Sequence, residues 1–311
     1  MNFTILSQVG ENLTLLSNEL WFIPFDIVMI IFMTLAVILT TIFLIVISID
    51  KTCHTVQMMF VTNRLFSTFV LGLFLLGSSI FTFRNDLQQI QYEDSLCIFR
   101  GYMIYASGAA QNYSNVVEAC YRYFIIIYPT RLYFRSVRFQ GFIICLSWTF
   151  CFLCPLPFLL TNNIIYNVNN QICQLPLHRS FLLIYMAFSI YGIPILLIIL
   201  NYFKLVRYVK AMSERVISAN TLLHARKELE IVKRILTRIT VMIITFLPLT
   251  LFIFMSFFDS VPKYHFRIAY APMYIATFPL LIVLFQFTDP LKASVMKIIK
   301  CRSNAIVARV T

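Results

Sequence analysis

The chain has 311 residues, 60% hydrophobic and only 12% charged, with a net charge of +12. An ordinary soluble domain carries about twice that charged fraction, so the composition excludes one and points to lipid as the solvent. In so apolar a chain the positive excess is a topology signal, and nucleic acid is not an expected partner.

Residues 1–21 read as a polar amino-terminal tail with two sequons, Asn2-Phe-Thr and Asn12-Leu-Thr, both candidates for glycosylation. The tail contains acids and lacks the basic start of a cleavable signal peptide. Apolar windows of about 20 residues or more then recur seven times. They fall at 22–49, 56–83, 97–128, 139–160, 180–209, 230–258 and 266–288. Such runs are too long for strands, and a helix satisfies its backbone groups within one segment. The expected fold is an all-α membrane protein, a seven-transmembrane helix bundle over 22–290. A short amphipathic cytoplasmic helix from Leu291 and a tail to 311 should follow.

Of the 25 lysines and arginines, 20 fall on the side that holds Arg122, and Arg84, Arg100, Arg179, Lys263 and Arg267 on the other. Because basic loops stay cytoplasmic, the amino terminus is expected outside and the carboxyl terminus inside. The basic face is also expected to meet anionic membrane lipid.

The third window has Cys97 at one end and Arg122 near the other, about 37 Å apart on a helix. A charge near the end of a membrane span either snorkels to the surface or has a partner and a role. The loop 161–179 alternates apolar residues around an Asn-Asn turn and reads as a hairpin. Cys97 and Cys173 are the two cysteines expected on the oxidising face, so a disulfide between them is expected. Cys53, Cys120, Cys145, Cys151 and Cys154 are expected to pack as small hydrophobes, and Cys301 is a palmitoylation candidate.

Taken together, Cys97, the Tyr121-Arg122-Tyr123 foot of helix three, Trp148, Pro194, Tyr202, Pro248 and Asp289-Pro290 resemble the rhodopsin-like G-protein-coupled receptors. The resemblance runs from about residue 22 to 301. It implies an extracellular ligand, a heterotrimeric G protein and no cofactor. This chain departs from the pattern at several points. Tyr121 stands where an acid usually precedes the arginine, and Phe246 where a tryptophan is common. Ala293 replaces a tyrosine, helix one lacks its asparagine, and helix two lacks its aspartate, with Leu73 near the expected position. Asp289, facing the bundle interior beside Asn63 or Gln111, would then be the sole acid of the family's sodium and water cluster.

The expected switch pairs Arg122 with Glu228, about 30 Å below Pro248 on helix six, while Glu118 lies one turn before Arg122. Outward movement of helix six on the Pro248 kink would break that pair. Ile104 occupies the position where amine receptors carry an aspartate, so a peptide is expected over a small biogenic amine. Tyr102, Tyr105, Tyr185, Tyr270 and Tyr274 are candidate pocket residues, with bundle packing as the alternative role of each. No metal-spaced His/Cys cluster, nucleophile elbow or phosphate loop is present, so no enzyme is expected. The rival readings are a seven-helix transporter or channel, and a receptor-like protein that no longer couples. For a transporter, Glu118, Arg122 and Asp289 are the intramembrane charges the sequence offers.

Overall fold

The computed structural model describes residues 22–214 except 91, 129 and 178–180, together with 236–237, 240–241, 243–258 and 260–298. Asn2, Asn12, Glu228 and Cys301 lie outside the described residues. Within them the protein is helical apart from 3-10 turns and one short hairpin. Helix α1 spans Phe22–Ile49, α2 Val56–Gln88 and α3 Cys97–Ile127. Helix α4 runs Val137–Leu153 and resumes after Pro155 as Leu156–Leu160. Helix α5 comprises Phe181–Met186, a π-helical stretch Ala187–Gly192, and Ile193–Glu214. Helix α6 is described over Ile243–Ser256, and α7 spans His265–Phe287.

Among the described residues, five helices are long and apolar enough to cross a membrane: α1, α2, α4, α5 and α7. Their burial is arranged for lipid. In α1, Met29, Met33, Ala36, Thr40, Phe43 and Ile47 point inward at three- and four-residue spacing. Ile31, Leu35, Ile38, Ile42 and Ile45 lie on the exposed face. An apolar outside around a partly polar inside is stable only where the solvent is hydrocarbon. The protein is therefore a multi-pass membrane protein.

Helix α3 lies at the centre and packs against α2, α4 and α5. It buries Ser107, Asn112, Ser114, Asn115, Glu118 and Arg122, which lowers its hydropathy but gives the bundle its polar interior. Helix α2 runs five residues past the expected end at 83 and stops at Gln89, which adopts a left-handed conformation at φ 53°. Polar contacts hold the extra turn in place. Thr82 Oγ1 donates to the Gln171 carbonyl at 3.3 Å, and Asn85 Nδ2 to that of Tyr92 at 2.9 Å.

The π stretch of α5 has a specific cause. Ile193 N–H donates to the Phe188 carbonyl, one residue out of α register, and so the Ser189 carbonyl loses its ordinary donor. Pro194 has no N–H to offer Ile190. Helix α3 supplies both missing donors. Tyr113 Oη donates to the Ser189 carbonyl and Asn112 Nδ2 to that of Ile190, each at 2.9 Å. Such irregular backbone at membrane depth persists only where protein groups satisfy it.

The hairpin expected in the loop 161–179 is present as β1 Ile165–Asn167 and β2 Ile172–Gln174, antiparallel with Tyr166 opposite Cys173. Asn167 Oδ1 holds the turn by accepting from the Asn170 N–H at 3.0 Å and from Asn170 Nδ2 at 2.9 Å. The disulfide Cys97–Cys173 ties β2 to the start of α3, with Cα atoms 5.4 Å apart. Gly101 makes that approach possible: a Cβ there would sit 2.5 Å from the Cys173 carbonyl oxygen.

At the opposite end, Thr288 breaks α7 and residues 289–298 form a further helix that buries Leu291 and Ser294. Ser294 Oγ donates to Asp50 Oδ2 at 2.8 Å, and Thr52 N–H donates to Asp50 Oδ1 at 3.0 Å. The Thr52 backbone N–H, then the Ser294 hydroxyl, hold the Asp50 carboxyl below its ordinary value.

Candidate functional site

Two buried charge centres lie at opposite ends of α3. At the foot, Arg122, Glu118 and the α2 residue Arg64 are all at least nine-tenths buried. Arg64 Nη1 donates to Glu118 Oε2 at 2.9 Å, whereas Arg122 Nη2 stands 3.8 Å from Glu118 Oε1. One carboxylate thus serves two guanidinium groups. The Arg122 guanidinium also sits over the Tyr121 ring, 5.8 Å from its centroid, a cation–π contact. Tyr121 packs on Phe60 of α2, and Tyr123 makes an edge contact with Phe124 on the other face. Tyr202 of α5 packs against Ile126, one turn beyond Arg122.

Arg64 lies at the same end of the bundle as Arg122, the side to which the sequence reading assigned it, and it is buried there. Its helical rotation turns it toward α3, where Glu118 compensates the cost of burial. Asp289 corrects the sequence reading, which turned it toward the bundle interior. Its side chain is exposed, because α7 ends at Phe287 and the next helix begins at 289. A carboxylate at that helix start is favoured by the dipole and needs no interior partner. Pro290 beside it is exposed as well, and its carbonyl lies 3.9 Å from Cys53 Sγ.

Mid-bundle, Arg64, Thr68, Gln111, Asn115 and Thr277, with Leu280, Leu281 and Leu284, line a small cavity of ≈ 50 Å³. A guanidinium, not a free carboxylate, faces this space, an arrangement that repels a cation. Asn63 is not beside Asp289; its Oδ1 accepts from Trp148 Nε1 at 2.7 Å and couples α2 to α4. Pro194 and Phe246 line a larger apolar cleft of ≈ 280 Å³ between α5 and α6, and Phe246 packs on Tyr191 at 4.7 Å. Pro248 lies within the described part of α6.

At the disulfide end, Ile104 and the five candidate pocket tyrosines divide. Ile104, Tyr270 and Tyr274 line a cleft between α1, α2, α3 and α7. Tyr105 adjoins it, donating to Gln174 Oε1 at 2.6 Å, as Tyr270 does at 3.0 Å. Tyr102 and Tyr185 instead donate to carbonyls of Phe152 and Cys154 and serve to pack α4. Around the cleft stands a charge cluster that sequence reasoning passed over. Arg267 of α7 pairs with Asp86 of α2 through both terminal nitrogens, and Gln171 Nε2 donates to Asp86 Oδ1 at 2.7 Å. Asp26 of α1 is 1% exposed and lies 3.8 Å from Arg267. The available signal was an acid one turn inside the first apolar window, with an opposite charge at the same end of the seventh.

No curated protein matches the chain. The family described as 7 transmembrane receptor (rhodopsin family) matches residues 39–291, which takes in Arg64, Glu118 and Arg122 at the foot, both disulfide cysteines and Arg267. The chain belongs to that family.

Proposed function

We propose that the chain is a plasma-membrane receptor, with its amino terminus outside, that binds an extracellular ligand and activates a heterotrimeric G protein by outward movement of α6. Seven spans, a cytoplasmic amphipathic helix after the seventh, glycans at Asn2 and Asn12, and a palmitoyl chain at Cys301 complete this reading. The observation that carries it is Arg122, buried at the foot of α3 and sharing Glu118 with Arg64. A charge held there by a shared partner can be released without unfolding the bundle, as a two-state switch requires. Glu228 of α6 is the second proposed resting partner. The hairpin lid over the aromatic cleft favours a peptide as the ligand.

The test is nucleotide exchange on purified G proteins by the receptor in lipid nanodiscs. Its ligand is first identified by a screen of neuropeptides and small metabolites in cells reporting calcium and cyclic AMP. Ligand should accelerate exchange in the wild type and leave Arg122→Ala silent. Solute flux without exchange would instead identify a transporter, and neither response a receptor-like protein that no longer couples.

A further inference from the structure

Asp26 is the least explained charge in the molecule. Both carboxylate oxygens are buried and neither has a hydrogen-bond donor among the described residues. Its nearest cation, Arg267, is already committed to Asp86 and Phe22, whose ring lies 4.5 Å from the guanidinium carbon. The Arg267 guanidinium is thus shared between two acids, Asp26 and Asp86. A buried carboxylate that accepts no hydrogen bond is costly in a membrane protein, and an intramembrane acid of this kind marks a candidate ligand site.

Asp26 lines the same cleft as Ser78, Ser79 and Thr82 of α2, beside Ile104 and Tyr274. The free space there is ≈ 30 Å³, room for about one water-sized group and not for a whole ligand. The hydroxyls and the carboxylate accept hydrogen bonds, the apolar wall is Met29, Leu75 and Ile104, and the Arg267 guanidinium on the same lining is engaged by Asp86. An adjoining cleft also lined by Ile104 and Tyr270 extends toward Gln111 and Phe246, giving the rest of a ligand somewhere to lie.

We propose that Asp26 is the anchor for a primary ammonium group, carried by an extracellular amine or by the amino terminus of a peptide, with Ser78, Ser79 and Thr82 accepting its remaining N–H bonds. This deepens the receptor reading and rests on its exterior orientation, yet it concerns binding alone, so its failure leaves the coupling question separately testable.

The experiment measures the melting temperature of the full-length receptor in nanodiscs with n-butylammonium chloride, n-butanol or sodium chloride at equal concentration. A second pair of probes is leucyl-leucinamide with a free and with an acetylated amino terminus. The expected result is a rise of about 2–4 °C with at least one free-ammonium probe and none with n-butanol, sodium or the acetylated peptide. A shift with n-butylammonium identifies any primary ammonium as sufficient, and a shift with the free peptide alone assigns the site to a peptide amino terminus. Asp26→Asn should abolish the shift. If that variant does not fold, Ser78→Leu, which fills the cleft without touching a charge, should abolish it instead. An equal rise with sodium, an equal rise with the neutral or acetylated probe, no rise with either ammonium, or a rise retained in the foldable variant overturns the proposal.

Discussion

Arg64 Nη1 lies 2.9 Å from Glu118 Oε2, so the acid nearest the arginine of the Tyr-Arg-Tyr foot is bonded more closely to helix two than to that arginine. Glu118 is therefore a divided restraint. Removing Arg64 takes away the closer of its two guanidinium partners and strengthens its hold on Arg122, so Arg64→Met should lower basal nucleotide exchange. Glu118→Gln removes the charge that Arg122 shares and should raise basal exchange several-fold. Opposite signs for these two variants, measured without ligand, are the expected outcome; equal signs would mean that Glu118 does not restrain Arg122.

The same triad sets a stability expectation. Glu118→Ala leaves two buried guanidinium groups around an empty space and should cost about 3–5 kcal/mol. Replacing the pair together, Arg64→Met with Glu118→Leu, should recover part of that loss in a thermal melt, because Arg122 still lacks the carboxylate. Glu228→Ala separates the two proposed partners of Arg122. A rise in basal exchange with intact ligand binding supports the contact between helices three and six, and no change confines the restraint to α2 and α3.

The π stretch of α5 gives a double-mutant test. Asn112→Leu leaves the Ile190 carbonyl without its donor and should cost about 1–3 kcal/mol. Pro194→Ala restores a backbone N–H, so the same Asn112→Leu change should cost much less in that background. Equal costs in both backgrounds would show that Asn112 is not serving the proline break.

How much of this was legible in the sequence depends on the range of the interaction. Helix ends such as Phe22, Val56 and Cys97, and the Asn-Asn hairpin, follow from hydrophobic runs and local turn chemistry, which a linear reading captures. The disulfide was accessible for the same reason, since topology alone put both cysteines on one face. Asp26, Arg64 and Asp86 were not legible, because whether a charge near a helix end faces lipid, water or another helix depends on rotation set by long-range packing. Asp289 shows the reverse error. A familiar position suggested an interior acid, and a one-residue break at Thr288 placed it on the exposed surface.

The Asp50 joint predicts a response to acid. Its carboxyl is held below the ordinary value of about 4, chiefly by the Thr52 N–H. A depressed carboxylate contributes stability that is fully present above the unfolded value and is lost as pH falls through the folded one. The melting temperature of the wild type should therefore fall below about pH 4 more steeply than that of Asp50→Asn. Parallel acid limbs would rule Asp50 out as a contributor.

The disulfide end admits a simple check on folding. Cys173→Ala removes the tie between β2 and α3, and loss of such a bond typically costs about 2–5 kcal/mol. Gly101→Ala should have a related effect with the disulfide intact, because the new methyl meets the Cys173 carbonyl. Surface expression should fall in both, and normal expression of Gly101→Ala would mean that the hairpin has room to rise.

The hairpin is fastened on three sides: to α3 by Cys173, to α2 through Gln171 and Asp86, and to α7, where Asn170 Oδ1 accepts from the N–H groups of Phe266 and Arg267. A cover pinned at three points does not swing on one hinge; it lifts only as the helices beneath it part. Entry to and escape from the cleft then share one barrier. Loosening a single pin, as in Gln171→Leu, speeds arrival and departure together, shortening the dwell time of a bound molecule while leaving its equilibrium occupancy nearly constant.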